Sequence, residues 1–234
     1  MRFPPDILDA VLARSTSQTS SLHGLAHWGA HELLCDPEMA SRLNTDRFAY
    51  ALDYAARAHE EQMRKGSDIP YVSHLLAVAA LVLEDGGDED EAIAALLHDV
   101  VEDQGGAERL AEVEREFGSR VAAIVESCSD TLVTPKPPWR ERKAAYVAHL
   151  EDADPSALRV SLADKVHNVR TIVLDYRRLG DSLWQRFDPG ADPVWYYRSL
   201  ADVFARRSSS PLAAELEREV SELEALTGSP RERE

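Results

Sequence analysis

The chain has 234 residues, of which 44% are hydrophobic and 29% are charged, a balance typical of soluble globular proteins and outside the range of disordered chains. Its formal net charge of -16 argues against binding to a nucleic-acid backbone, because no basic run compensates for it. A small anionic substrate needs only a few cations gathered in a pocket and is compatible with this charge.

No apolar stretch of the sequence approaches the roughly 20 residues needed to cross a bilayer, and the amino terminus lacks the apolar core of a signal peptide. We therefore expect a cytoplasmic protein without membrane association. The two cysteines, Cys35 and Cys128, stand far apart in the chain. Neither a disulfide framework nor a zinc ribbon is expected from that spacing.

Residues 1–43 form an N-terminal extension to which the sequence assigns no role. The extension contains His23, His27 and His31, which would share one face of a helix because they are four residues apart. Such a face can bind a metal. Only Glu32 accompanies the histidines as an oxygen donor, so a packing or surface stripe is the favoured interpretation.

Apolar residues recur with helical spacing in the rest of the chain, as at Val121, Ile124, Val125 and Cys128, and no convincing β alternation interrupts them. The sequence therefore predicts an all-α fold, a compact bundle of several helices. Residues 44–207 are expected to form one domain, and residues 208–234 a final helix and a charged tail. The predicted helices cover residues 44–63, 72–84, 88–103, 107–116, 119–129, 138–150, 155–178, 192–207 and 211–226.

Residues 94–103 form an apolar helical pattern that is interrupted by four ionisable groups, His98, Asp99, Glu102 and Asp103. Their spacing places them on one side of a helix. Burying carboxylates is costly unless cations or hydrogen bonds compensate. The pattern therefore indicates a metal site, and a solvated helix end with unconnected acids is the alternative.

His74 and Asp164 repeat this anomaly, since each is a polar residue among apolar neighbours. A lone histidine of this kind is more often structural than a ligand, but three such segments together favour a shared site. His74, His98, Asp99 and Asp164 would supply two imidazoles and two carboxylates, a set that suits Mn²⁺, Fe²⁺, Zn²⁺ or Co²⁺. Open positions on such a metal can take water and a phosphate oxygen, as in hydrolytic metal centres.

A histidine, a His-Asp doublet and a distant aspartate in this order resemble the signature of the HD phosphohydrolase superfamily. The chain is more narrowly similar to the hydrolase domain of the RelA/SpoT family and to its free-standing form in small alarmone hydrolases, such as the metazoan SpoT homologues. Five blocks in the same order and with close spacing carry the resemblance. These blocks are residues 58–66, 70–74, 97–103, 117–118 and 162–171.

The resemblance implies an HD-domain bundle and a Mn²⁺-dependent enzyme that removes pyrophosphate from the 3′ position of (p)ppGpp, the alarmone of the stringent response. It implies that Glu102 and Asp103 activate or orient the attacking water, and that the metal ligands are His74, His98, Asp99 and Asp164. A general base in that pair would lie one helical turn from the ligands.

The resemblance also implies a nucleotide pocket that includes Arg64 and Lys65. A guanidinium can stack on a base, and both cations can neutralise phosphates. A solvated loop is the alternative for this pair. The other expected substrate contacts are Tyr71, Arg142, Lys143, Asn168 and Thr171.

Departures from the family leave other functions open. About 60 residues follow the matched part, too few for a further catalytic domain of usual size, so no synthetase is expected. The aromatic segments 176–187 and 195–198 do not belong to the family pattern, and they either close the pocket differently or, as favoured, pack between helices. The alternative functions are an HD phosphohydrolase of another nucleotide or dinucleotide phosphate and a non-catalytic nucleotide-binding module, against which the intact ligands and acidic pair argue.

Overall fold

A computed structural model describes residues 43–131 and 135–228, without the side chains of Asp103 and Gln104. Within these residues the regular elements are helices and no β-strand forms, which confirms the predicted all-α class. A 3-10 helix, Gly180–Arg186, follows the longest α-helix. The α-helices are α1 Thr45–Ala58, α2 Val72–Glu84, α3 Glu89–Leu97, α4 Val100–Gln104, α5 Gly106–Phe117, α6 Ser119–Cys128, α7 Trp139–His149, α8 Pro155–Leu179, α9 Pro193–Arg207 and α10 Pro211–Thr227.

Two parts of the sequence prediction fall outside these residues. His23, His27 and His31 of the N-terminal extension are among the positions that are not described, as are residues 229–234 of the expected tail. The predicted domain boundaries stay predictions. Among the helices that are described, none is both long and apolar enough to cross a membrane.

Side-chain caps explain where several helices begin. Asn44 Oδ1 accepts a hydrogen bond from the backbone N–H of Asp46 at 3.2 Å and so caps α1, while Asp88 and Glu91 form a reciprocal capping box at the start of α3. The helices α8, α9 and α10 each begin with a proline directly after a capping side chain. Proline suits this position because its missing N–H has no partner in the first helical turn.

The helices α3 and α8 lie at the centre of the hydrophobic core. Every residue from Ala92 to Leu97 of α3 is excluded from solvent. The 25-residue helix α8 packs against α2, α3, α6 and α10, and α10 contributes Leu216 and Leu223 to the same core. Side chains that leave α3 and α8 are therefore held by close packing on several sides.

The predicted helix 44–63 ends early, at Ala58. The chain then turns back on itself, and Met63 pairs with Pro70 in an isolated antiparallel bridge. At the tip of this loop Gly66 has a φ of 71°, a conformation that favours glycine and that no α-helix contains. Residues 59–63, which the prediction placed in the helix, therefore lie outside it, and residues 62–71, named here the α1–α2 loop, form a compact turn.

The predicted helix 88–103 is also wrong in one respect. Regular helix stops after Leu97, and His98 and Asp99 form a turn before α4 begins at Val100. The helix is therefore interrupted at the two residues that the sequence marked as candidate metal ligands.

Candidate active site

Three helical segments bring two imidazoles and two carboxylates together. His74 Nε2 from α2 and His98 Nε2 from the end of α3 lie 3.2 and 3.6 Å from Asp164 Oδ1 of α8. Asp99 Oδ2 lies 3.5 Å from His74 Nε2 and 3.0 Å from His98 Nε2. The four side chains that the sequence predicts as metal ligands therefore converge, and they are called the ligand cluster below.

The ligand cluster fits a metal ion. The Nε2 atoms of His74 and His98 are buried and have no hydrogen-bond partner among the described residues, which is costly for a polar atom unless a further group binds it. His98 Nδ1 lies 2.8 Å from the Ala95 carbonyl oxygen. Since that contact requires a proton on Nδ1, neutral His98 carries its lone pair on Nε2, which points toward the cluster as in metal-binding histidines.

His167, to which the sequence prediction gave no role, contacts His74 from behind. Its Nδ1 atom lies 2.8 Å from His74 Nδ1, so one of the two nitrogens must donate. Burial, together with the neighbouring His74 and Arg64, lowers the pKa of His167 to about 4. A neutral His167 can accept the Nδ1 proton of His74, which leaves the His74 Nε2 lone pair available to a metal.

The two carboxylates of the cluster, Asp99 and Asp164, have lowered pKa values and remain ionised. Burial raises the pKa of Asp99, but His98 and His74 outweigh it and bring that pKa well below its usual range. Burial also raises the pKa of Asp164, and Lys165 and the two histidines reverse this effect in the same way. The cluster therefore favours a cation between its carboxylates, and a metal must compete with protons for this place.

Glu102 lies on α4, one helical turn beyond the ligand cluster. Its Oε1 atom accepts a hydrogen bond from Lys136 Nζ at 2.9 Å, and Oε2 accepts one from the backbone N–H of Asp130 at 3.4 Å. Burial and the negative charge of Asp130 raise the pKa of Glu102 above its usual value, as suits a general base near neutral pH. Asp103 follows on α4, but its side chain lies outside the described part of the structure.

Arg142 and Lys143 lie side by side near the start of α7 and share one acidic partner. Lys143 Nζ is 2.6 Å from Asp130 Oδ2, and Arg142 contacts the same oxygen. Both cations are largely buried. Sequence reasoning missed Asp130, because it follows α6 in a loop with no recognisable pattern.

Lys165 is a second residue that sequence reasoning missed, although a lysine directly after Asp164 in an apolar run was a usable signal. Its Nζ atom contacts Asp164 Oδ2 at 2.6 Å and lies 4.9 Å from the centre of the Tyr146 ring. Lys143 lies 5.0 Å from the ring of Tyr196. The aromatic segment 195–198 therefore packs against buried cations beside the cluster as well as between helices.

Arg64 connects the α1–α2 loop with the ligand cluster by two routes. Its Nη2 atom donates to Asn168 Oδ1 at 2.7 Å, and the Asn168 amide donates to Asp164 Oδ1. Its guanidinium also lies 5.7 Å from the centre of the Tyr71 ring, and the Tyr71 hydroxyl donates to Asp99 Oδ2 at 2.6 Å. Tyr71 thus supports a candidate ligand, a role that the sequence did not predict.

Lys65 and Thr171 make contacts that the sequence did not predict. Lys65 is 63% exposed, with Nζ 3.5 Å from Asp188 Oδ1 and 5.7 Å from the centre of the Phe187 ring. The Thr171 hydroxyl donates to the His167 carbonyl oxygen at 2.9 Å, a bond within α8. The substrate contacts predicted for both residues stay predictions.

Comparison with known proteins agrees with this arrangement. Residues 51–192 match the model of the HD domain family, so the chain belongs to that family. Over 125 residues, which are 52% of this chain and 67% of the relative, it is 40% identical to guanosine-3′,5′-bis(diphosphate) 3′-pyrophosphohydrolase MESH1 from Homo sapiens. Over 132 residues it is 34% identical to the bifunctional (p)ppGpp synthase/hydrolase SpoT from Escherichia coli, a match that covers 54% of this chain and 18% of SpoT.

Two solved structures are similar to this chain in fold. A metazoan ortholog of SpoT that hydrolyzes ppGpp superposes with a TM-score of 0.62 at 28% identity, over 76% of this chain and 95% of its own. The protein lmo0812 from Listeria monocytogenes superposes with a TM-score of 0.58 at 26% identity, over 67% of this chain and 99% of its own. The resemblance that the sequence motifs indicated is confirmed by these matches.

Proposed function

We propose that the protein is a Mn²⁺-dependent hydrolase of alarmones of the guanosine 3′,5′-bis(diphosphate) type, and that it releases pyrophosphate from the 3′ position. The observation that carries the proposal is the hydrogen bond between Arg64 and Asn168 beside the ligand cluster. It places a guanidinium that can stack on a base next to a group of metal-type ligands. The relatives that are named for this reaction support the same conclusion.

The chemistry of the donor set supports a first-row divalent metal. Two imidazoles and two carboxylates without a thiolate suit Mn²⁺, and the same set also accepts Fe²⁺, Zn²⁺ or Co²⁺. His74, His98, Asp99 and Asp164 would hold the ion. When bound, it would polarise a phosphoryl oxygen and lower the pKa of a water molecule.

Glu102 is the proposed acceptor of the proton of the attacking water. Its Oε1 atom accepts the short bond from Lys136 at 2.9 Å, and Oε2 accepts the longer bond from the Asp130 backbone N–H at 3.4 Å, so Oε2 is the less firmly held oxygen. The raised pKa of Glu102 increases its strength as a base near neutral pH. Asp103 is proposed as the second member of this acidic pair, on the strength of the family resemblance.

The substrate is proposed to be a small nucleotide whose phosphates meet buried cations. Arg142 and Lys143 would neutralise the leaving pyrophosphate, and a substrate phosphate would then compete with Asp130 for them. Arg64 would stack on the base. Tyr71, Asn168, Thr171 and Lys65 are proposed to border the same pocket, and a cytoplasmic location is proposed for the protein.

The test is incubation of the purified protein with Mn²⁺ and a panel of ppGpp, pppGpp, pppApp, GTP and NADPH. Release of pyrophosphate from the guanosine alarmones, abolished by a chelator and by Asp99→Ala, is the expected result. Hydrolysis of another nucleotide alone would replace the proposal by the broader HD phosphohydrolase function. Binding of a nucleotide without any turnover would replace it by a non-catalytic module.

A further inference from the structure

The segment after α8, which the proposed function does not use, folds onto the α1–α2 loop. It consists of the 3-10 helix Gly180–Arg186 and the next two residues, Phe187 and Asp188. Lys65 contacts both of these residues, by an ion pair with Asp188 at 3.5 Å and by its position over the Phe187 ring. The segment and the loop are therefore in contact at the loop tip.

Gly66 and Arg186 make a very close approach at this tip. A methyl group at Gly66 would lie 2.5 Å from Cδ and 2.5 Å from Nε of Arg186, so no side chain fits there while Arg186 keeps its position. The φ of 71° at Gly66 favours glycine for a second, independent reason. The side chain of Arg186 thus lies directly against the backbone of the loop.

The guanidinium of Arg186 is anchored to α8. Its Nη1 atom donates to Asp175 Oδ2 at 2.8 Å, and both side chains are about three-quarters buried, with 24% and 23% exposed. Asp175 follows Asn168 by two helical turns, so the two residues lie on the same face of α8. The loop is consequently joined to this face at two points, by Arg64 at Asn168 and by Arg186 at Asp175.

We infer that Arg186 is a positioning residue for the nucleotide pocket, because it clamps the α1–α2 loop against α8 and so keeps Arg64 at Asn168. The inference rests on the proposed function, in which Arg64 binds the nucleotide. Without the clamp the loop must be ordered when the substrate binds, and the cost of ordering reduces affinity. The ligand cluster does not depend on this contact, so turnover of the bound substrate should persist.

The variants Arg186→Ala and Arg186→Lys test the clamp, and Arg177→Ala is a matched control because it removes an ion pair between α8 and Glu222 of α10. For ppGpp with Mn²⁺, Arg186→Ala should raise KM roughly fivefold and leave kcat within about twofold. Arg186→Lys should give a smaller rise, since it keeps the charge. Arg177→Ala should leave both constants unchanged.

Hydrogen exchange of the amides of residues 62–71 gives a readout that needs no activity. We expect faster exchange in Arg186→Ala than in wild type and Arg177→Ala. If the wild-type protein does not cleave ppGpp, the proposed function fails, while exchange still decides whether the clamp exists. Unchanged exchange overturns the clamp, and faster exchange with an unchanged KM overturns its role in nucleotide binding.

Discussion

The ligand cluster and the α1–α2 loop are built in opposite ways. The cluster takes buried side chains, among them His74 and His98, from helices that are packed on several sides. The loop exposes Lys65, and it is joined to α8 directly at Asn168 and, by way of Arg186, at Asp175. The proposed catalytic and substrate-binding groups therefore have different supports, which meet where Tyr71 donates to Asp99 and where Asn168 joins Arg64 to Asp164. Substitutions in the loop that spare Tyr71 and Asn168 should separate turnover from affinity.

The largest effect is expected when the cluster itself is changed. Asp99→Ala removes a carboxylate that lies 3.0 Å from His98 Nε2, and it should reduce Mn²⁺ affinity by more than the roughly 10- to 100-fold cost of losing an outer-shell partner. Metal analysis after dialysis against Mn²⁺ measures this loss. Asp53→Ala, which removes an exposed pair with Arg57, is the control. Full occupancy in Asp99→Ala would contradict the assignment of the cluster.

The second largest effect is expected for Glu102→Gln, which separates metal binding from proton transfer. Glu102→Gln keeps the size of the side chain but removes the proton acceptor, so kcat should fall by roughly 10²- to 10⁴-fold. Mn²⁺ content should equal that of the wild type, because the cluster is intact. A discontinuous activity assay and a metal determination on the same sample measure kcat and the Mn²⁺ content. Wild-type turnover in this variant would exclude Glu102 as the base.

The pH dependence of kcat tests whether Glu102 is the general base. A general base must be ionised. Burial and Asp130 raise the pKa of Glu102, while Lys136 and Lys143 lower it, and the net effect is a raised pKa. We therefore expect kcat to fall with decreasing pH, with a midpoint above the pKa of an ordinary glutamate. Lys136→Met should move this acid limb to higher pH, and Asp130→Asn should move it to lower pH. Profiles of kcat against pH at saturating Mn²⁺ measure both shifts. Shifts in the same direction would refute the assignment.

The smallest effects are expected in the loop. Arg64→Ala removes the guanidinium that is proposed to stack on the base, and a cation on a ring contributes about 0.5–2 kcal/mol, so KM should rise about tenfold at a nearly constant kcat. Lys65→Ala should change KM by less than about threefold, because exposed ion pairs contribute little. Steady-state kinetics of the two variants side by side decides the point. Equal increases would show that Lys65 turns toward the substrate.

The fold class and the ligand cluster could be predicted from the sequence. Helical periodicity dominates the pattern, and His74 and Asp164 stand out as polar residues within it. The convergence of these residues with His98 and Asp99 followed from a family motif, which carries three-dimensional information that periodicity alone does not contain. Glu102 followed from its spacing to the doublet.

Contacts between distant loops could not be predicted in this way. Asp130 pairs with Lys143 from a loop without periodicity, and Arg186 reaches Gly66 from a 3-10 helix that is too short to leave a periodic signal. The position of Lys65 depends on the same segment. Such contacts are set by how the loops pack, and a single sequence without a pattern at either end does not specify them.

The interruption between α3 and α4 bears on how motifs of this kind can be read. In a continuous α-helix, neighbouring side chains diverge by about 100° and do not naturally aim at one point. His98 Nε2 and Asp99 Oδ2 nevertheless lie 3.0 Å apart, at the point where regular helix stops. Two adjacent ligand-type residues inside an apolar helical pattern coincide here with a break in the helix, and inserting one residue between them would turn one ligand away from the other.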